Sequence, residues 1–227
     1  MRLGYGTAAL GRSRSVRERR RLVEAAYDAG IRYFDTAPLY GAGAAEEALG
    51  RLRGEAVIAT KAGIVAPSLV SLAAGKALGR PAAATGGRFA PHEVRAQLEG
   101  SLRRLRRDRV DVLLLHEVET AHVDPLLETL ESMRAEGKVG LWGVATRAAA
   151  TAAILAKHRP DVVQVAAAEA LDPAGARLVL HSVLVGRLGD RSAAELLREA
   201  AHAHPGATIL VGSCHEGHIR EAAAALS

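Results

Sequence analysis

Eight short apolar runs alternate along this chain with stretches of helical spacing, and that alternation constrains the fold more than any other feature. Arg2 to Thr7 is the first run; Ser15 then caps a helix from Val16 to Asp28 that carries Leu22, Val23 and Ala26 on one face. Ile31 to Asp35 is the second strand, and Ala44 to Arg53 the helix behind it. Glu55 to Thr60 reads as a buried strand, Pro91 to Arg107 as a helix opened by proline, and Arg109 to Leu115 as the fourth strand. A helix from Pro125 to Glu136 stops at Gly137, ahead of a strand from Gly140 to Val144, a helix over 148–157 and a strand from Asp161 to Val165. Leu178 to Leu184 and Ala207 to Val211 are the last strands, separated by a helix from Ser192 to His204, and a final helix ends near Leu226.

Repeated strand-helix units build a parallel sheet covered by helices, and eight of them close into an α/β architecture, the (β/α)8 TIM barrel. One outer helix is missing between strands six and seven, where Leu171 to Ala176 is too short and too broken for a crossover helix. A doubly wound open sheet is the alternative, but the glycine-rich first turn that marks it is absent. The expectation is a shortened barrel in one domain over residues 1–227. Residues 62–89, rich in Gly, Ala, Ser and Pro, are expected to form a long loop over the barrel mouth.

Composition narrows the functional classes. Nearly half of the residues are apolar, enough for a sizeable core, yet no window holds eighteen uncharged apolar residues and the first residues lack the features of a leader. A cytoplasmic protein without a membrane partner is expected. The single Cys214 argues against an intramolecular disulfide or a zinc cluster, so no metal site is expected. A net charge of +5 rests on arginine, but the runs Arg17 to Arg21 and Arg103 to Arg107 fall on amphipathic helices, and aromatics are only 3%. Solvated helix faces explain these runs better than a nucleic-acid interface.

Asp35, Tyr40, Lys61 and His116 stand at or just after strand ends, where a parallel barrel gathers its chemistry. A lysine beside a tyrosine favours the phenolate, and an aspartate paired with the lysine keeps it charged and oriented. Such a tyrosine can protonate a developing alkoxide, while His116 can hold a substrate oxygen by a hydrogen bond. Each residue also has an ordinary reading: Asp35 as a turn cap, Tyr40 as a rim aromatic, Lys61 as a solvated strand end, His116 as a loop histidine. All four at one mouth form the kind of constellation that active sites produce.

The chain resembles the aldo-keto reductase family in GIRYFDTAPLYGAGAAEEALG (30–50), VIATKAG (57–63), LEGSLRRLRRDRVDVLLLHE (98–117), LESMRAEGKVGLWGVAT (130–146), DVVQV (161–165) and ILVGSCHEGHIREA (209–222), in the family's order. The resemblance implies a barrel that binds NADPH without a Rossmann domain and acts on a small-molecule carbonyl substrate. It implies Tyr40 as general acid, Lys61 and Asp35 as its tuning pair, and His116 as the substrate-orienting residue. Gln164 matches the glutamine that hydrogen-bonds the nicotinamide carboxamide, and Thr146 stands where a serine or asparagine often does so. Gly212, Ser213, His218 and Glu221 match the loop and helix start that hold the adenosine phosphate, and a helix N-terminus after Gly-Ser suits an anion.

There are departures from the family pattern. Ala166 to Glu169 replace an aromatic that usually follows the glutamine, and only Gly186 to Arg191 remain of a longer loop after strand seven. Arg187 and Arg191 there are candidates for the cofactor phosphates. Two other readings stay open. One is a barrel without cofactor that uses Tyr40, Lys61 and His116 for proton transfer, as a lyase, dehydratase or isomerase. The other is a non-catalytic interaction subunit whose missing helix leaves an apolar stripe for a partner. A homodimer built on the gap between strands six and seven is a separate expectation.

Overall fold

The computed structural model describes residues 3–12, 15–52, 54–64 and 87–226. Eight parallel strands close into a barrel in sequential order, so the last pairs with the first. They are β1 (Leu3–Gly6), β2 (Tyr33–Asp35), β3 (Val57–Ala62), β4 (Val110–His116), β5 (Val139–Ala145), β6 (Val162–Ala166), β7 (Arg177–His181) and β8 (Thr208–Val211). Seven α-helices are described: α1 (Val16–Asp28), α2 (Ala44–Leu49), α3 (Pro91–Leu105), α4 (Leu127–Ala135), α5 (Ala148–Leu155), α6 (Ala193–Ala203) and α7 (Glu216–Ala225).

The alternation of side chains along each strand divides the core in two. Tyr33, Ala59, Val112, Leu114, Ala145, Val162, Val179 and Leu210 fill the barrel interior, while Phe34, Ile58, Leu113, Leu115, Val163 and Leu180 point outward into the helix layer. α1 turns Leu22, Val23 and Ala26 to that layer, and each large buried side chain contributes roughly 1.5–3 kcal/mol. Ser15 caps α1 by accepting from Glu18 N, and Ser192 with Glu195 closes a reciprocal capping box on α6. Glu46 on α2, fully buried, accepts from Thr60 Oγ1 on β3 at 2.7 Å and from Arg104 Nε on α3 at 2.6 Å. That carboxylate ties two helices to the strand that carries Lys61.

The link between β6 and β7 holds a 3-10 turn at Ala167–Glu169 and no α-helix. Pro173 with Ala174 and Gly175, both in left-handed backbone (φ 50° and 91°), sends the chain back down directly. Several boundaries differ from the sequence expectation. Thr7–Arg12 is a 3-10 helix rather than the end of a strand, and the turn at Asp124–Leu126 is 3-10 before α4 begins. β7 stops at His181, because Ser182 takes a positive φ of 59° and turns the chain out of the sheet. α2 is shorter than expected, and Arg53 lies outside the described residues, as does 65–86 of the expected mouth loop. No described helix is long and apolar enough to cross a membrane.

Candidate active site

Period-two alternation decides which polar side chains reach the barrel mouth. Asp35 follows the interior Tyr33 by two positions, Lys61 follows Ala59, His116 follows Leu114, and Gln164 follows Val162. Each therefore points inward at the carboxyl end of its strand, and the four belong to neighbouring or near-neighbouring strands.

Lys61 and Asp35 form a buried ion pair, 2% and 3% exposed. Lys61 Nζ donates to Asp35 Oδ1 and to the Thr36 carbonyl at 3.0 Å, which fixes the ammonium against the end of β2. Burial alone would push the Lys61 pKa down, but Asp35 and Tyr40 outweigh it and the net movement is upward. The group stays charged. Its Nζ lies 5.2 Å from the centre of the Tyr40 ring, so the cation sits beside the phenol. The Tyr40 pKa moves opposite to the direction expected from the sequence. Burial raises it more than Lys61 lowers it, and Asp35 adds to the rise, so in the resting site the phenol keeps its proton.

The loop that carries Tyr40 is built by local backbone constraints. Gly41, Ala42 and Gly43 run consecutively through left-handed backbone before α2, with φ of 63°, 54° and 91°. Gly41 also meets the 3-10 helix after β1: a Cβ on Gly11 would stand 2.8 Å from Gly41 N. Thr7 Oγ1 donates to the Asp35 carbonyl at 3.0 Å, so the same turn braces both Asp35 and the tyrosine loop.

His116 is pushed down to about 3 by burial and by the charges of Lys61 and His181. It is a neutral imidazole at ordinary pH and can donate or accept without carrying charge. His181 was not among the residues expected from the sequence. It ends β7 two positions after the interior Val179, in register with Ala166, and its Nδ1 lies 2.8 Å from Ser182 Oγ. Burial lowers its pKa; Asp35 opposes that movement and Lys61 assists it. The missed signal is the one that identified Asp35, Lys61 and His116, a polar residue at a strand end. It was hidden because Val183, Leu184 and Val185 extend the apolar run past the histidine.

Among the candidate cofactor residues, Gln164 is buried at the mouth and its Oε1 has no hydrogen-bond partner. Thr146 is buried just after β5, and its carbonyl accepts from Thr151 Oγ1 at 3.4 Å. Gly212 follows β8, and a Cβ there would stand 3.1 Å from the Gly6 carbonyl. The Ser213 carbonyl accepts from Tyr5 Oη at 2.7 Å, and Ser213 Oγ lies 3.3 Å from His218 Nδ1. The His215 and His218 rings meet edge to face with centres 5.1 Å apart. Glu221 is exposed on α7. Arg187 and Arg191, exposed after β7, both pair with Glu199 on α6. No cluster of metal-ligating side chains occurs among the described residues.

A profile of the Aldo/keto reductase family matches residues 2–170. D-threo-aldose 1-dehydrogenase of a Pseudomonas species is 38% identical over 160 residues, which are 63% of this chain and 49% of that protein. The chain thus spans about half the length of that relative. An aldo-keto reductase of Klebsiella pneumoniae solved in complex with NADPH is 25% identical, with 99% of this chain and 84% of that chain superposed at a TM-score of 0.70. The holo form of an aldo-keto reductase from Bacillus halodurans shares the fold at a TM-score of 0.78 and 20% identity, over 99% of this chain and 86% of that chain.

Proposed function

The chain belongs to the aldo/keto reductase family, and from that premise we propose that it is an NADPH-dependent oxidoreductase that reduces an aldehyde or ketone to an alcohol, with Tyr40 as general acid. The observation that carries the reading is the buried Lys61–Asp35 pair with the Tyr40 ring against its ammonium. An ion pair excluded from water beside a phenol has one evident chemical use, the stabilisation of negative charge on the phenol oxygen.

The unpartnered Gln164 Oε1, buried at the mouth, fits the amide hydrogens of a nicotinamide carboxamide, with Thr146 beside it. Gly212, Ser213, His218 and Glu221 are the proposed residues for the adenosine end, Ser213 and His218 being in mutual contact. Bound there, the coenzyme supplies the hydride that a carbonyl carbon takes up. The chain's own part is the proton. Neutral His116 donates to the carbonyl oxygen and orients it, and Tyr40 delivers its proton to that oxygen as charge develops. Lys61 then faces a phenolate rather than a phenol, and the attraction that the resting site holds in reserve is realised as the proton leaves. The upward movement of the Tyr40 pKa is consistent with a proton donor that stays loaded at neutral pH. The same hydride and proton transfers run in reverse for an alcohol, which accords with the dehydrogenase among the relatives.

The test combines binding and turnover. Titration with NADPH, followed by quenching of Trp142 emission, is expected to saturate in the micromolar range. Tyr40→Phe should retain that affinity within about twofold while its turnover falls by roughly 10²–10⁴-fold. Retained turnover in the variant refutes the role of Tyr40, and substrate conversion in the absence of any nicotinamide refutes the oxidoreductase reading itself.

A further inference from the structure

The end of the barrel away from Lys61 opens onto a cavity of about 1050 Å³. Its apolar wall comes from Val57, Val112, Leu141, Val162 and Val179 at or near the starts of their strands, and from the short link that replaces the missing helix. None of Asp35, Tyr40, Lys61, His116 and Gln164 lines it. Ala59, Leu114, Ala145 and Leu210 pack in the barrel interior between the two ends.

Tyr33 roofs this cavity. Its ring lies across β1 at Gly4, where a Cβ would stand 2.9 Å from Tyr33 Cδ1 and 2.7 Å from Leu210 Cδ2, so the glycine makes room for the ring. The side chain is 8% exposed, lines the cavity, and its Oη has no hydrogen-bond partner. A buried hydroxyl without a partner is a group waiting for an acceptor or a donor.

The charges at the cavity decide which. Two carboxylates line it, and each is engaged by backbone: Asp111 Oδ2 accepts from Ile58 N at 2.8 Å, and Asp172 Oδ1 accepts from Ala174 N at 2.9 Å. The two guanidinium groups, Arg109 and Arg177, donate to no described side chain or carbonyl and belong to no described ion pair. Burial and Asp35 raise the Tyr33 phenol pKa most, so the hydroxyl keeps its proton as a donor, with Arg177 acting in the other direction. Two guanidinium groups and the Tyr33 hydroxyl are thus the donors left without a described partner, beside a wall of valines.

We propose that this cavity is a second binding site, for a small amphipathic anion whose carboxylate, sulfonate or phosphate head lies against Arg177 and Tyr33 Oη, within reach of the Arg109 charge, and whose apolar body covers the valine wall. Bidentate recognition of such a head is what a guanidinium fork does best, and a phenol hydroxyl supplies a third donor. The site is separate from the reaction mouth, so it stands or falls independently of the reductase reading.

The probe is 8-anilinonaphthalene-1-sulfonate, an aromatic sulfonate that brightens in apolar surroundings, with laurate as a competitor, added to the intact protein. Binding is expected to saturate at one probe per chain, to be displaced by laurate, and to be unaffected by saturating NADPH. Arg177→Glu, at an exposed position that should not disturb folding, is expected to weaken it at least tenfold, and Tyr33→Phe severalfold, each variant being checked by its melting curve. Displacement by NADPH, an unsaturable signal, or equal affinity in Arg177→Glu overturns the proposal. A sedimentation mass of two chains with the probe excluded also overturns it, by making a second copy the occupant.

Discussion

Lys61→Met tests the central feature of the site, because it removes one half of a buried ion pair and leaves the other in place. Asp35 is only 3% exposed, and the substitution strands its carboxylate together with the Thr36 carbonyl that Lys61 also satisfies. Breaking a buried pair from one side costs about 3–5 kcal/mol, because the remaining charge is uncompensated in a low dielectric. At roughly 2–4 °C per kcal/mol for a domain of this size, the melting temperature should fall by about 6–20 °C. The companion Asp35→Asn/Lys61→Met removes both charges and should recover most of the loss, to within about 2 kcal/mol of wild type. Urea unfolding followed by circular dichroism at pH 7 measures both. A loss below about 1 kcal/mol in Lys61→Met, or a double variant no better than the single, refutes the claim that the two groups are held as a mutually compensating pair.

Three other outcomes follow from the geometry. His116 is pushed down to about 3, so between the unfolded value near 6.5 and that value the unfolded chain binds the proton and the folded one does not. Stability should therefore decline as pH falls through this window, by up to about 1.4 kcal/mol per unit for each such histidine; unfolding curves at pH 7, 6, 5 and 4 should be flatter for His116→Gln, and identical slopes would contradict the neutral imidazole. Gly143→Ala should cost several kcal/mol or prevent folding, because its Cβ would stand 2.1 Å from the Val162 carbonyl across the β5–β6 pair, and a soluble variant with an unchanged melting curve would show that the two strands can part. Glu46→Ala leaves Arg104 and Thr60 without their shared acceptor and should destabilise the protein by about 2–4 kcal/mol, read from the urea midpoint; a shift under about 0.5 kcal/mol would mean that the carboxylate does not hold the two helices to β3.

The barrel was legible because two periodicities alternate along the chain and each is enforced by burial on a different surface. Val112 and Leu114 face the barrel interior while Leu113 and Leu115 face the helices, so the strand must be apolar throughout, and α1 need be apolar on only one side. The same rule made Asp35, Lys61 and His116 legible, since a polar residue that ends an otherwise buried strand has somewhere to point only at the mouth, whereas Gln164 was named through the resemblance to the family. What was not legible lies where the backbone takes a course that local sequence does not prefer. The direction of the Tyr40 pKa depends on how deeply the 3-10 turn after β1 buries its loop, and nothing in Thr7 to Arg12 announces that turn.

His181 shows the same cause more sharply. It was overlooked because Val183 to Val185 continue the strand pattern, yet the strand stops, since Ser182 adopts a φ of 59°. Glu117, the residue after His116, does the same with a φ of 53°. A side chain in left-handed backbone is disfavoured by about 1–2 kcal/mol, so neither turn is the choice of its own dipeptide. Both occur directly after an inward-pointing histidine at the carboxyl end of a strand, and at Ser182 the hydroxyl is in hydrogen-bonding distance of the imidazole. The sheet holds β4 and β7 in register up to these histidines and releases the chain immediately beyond them. Two strained turns at matching positions thus keep two imidazoles around the Lys61 charge.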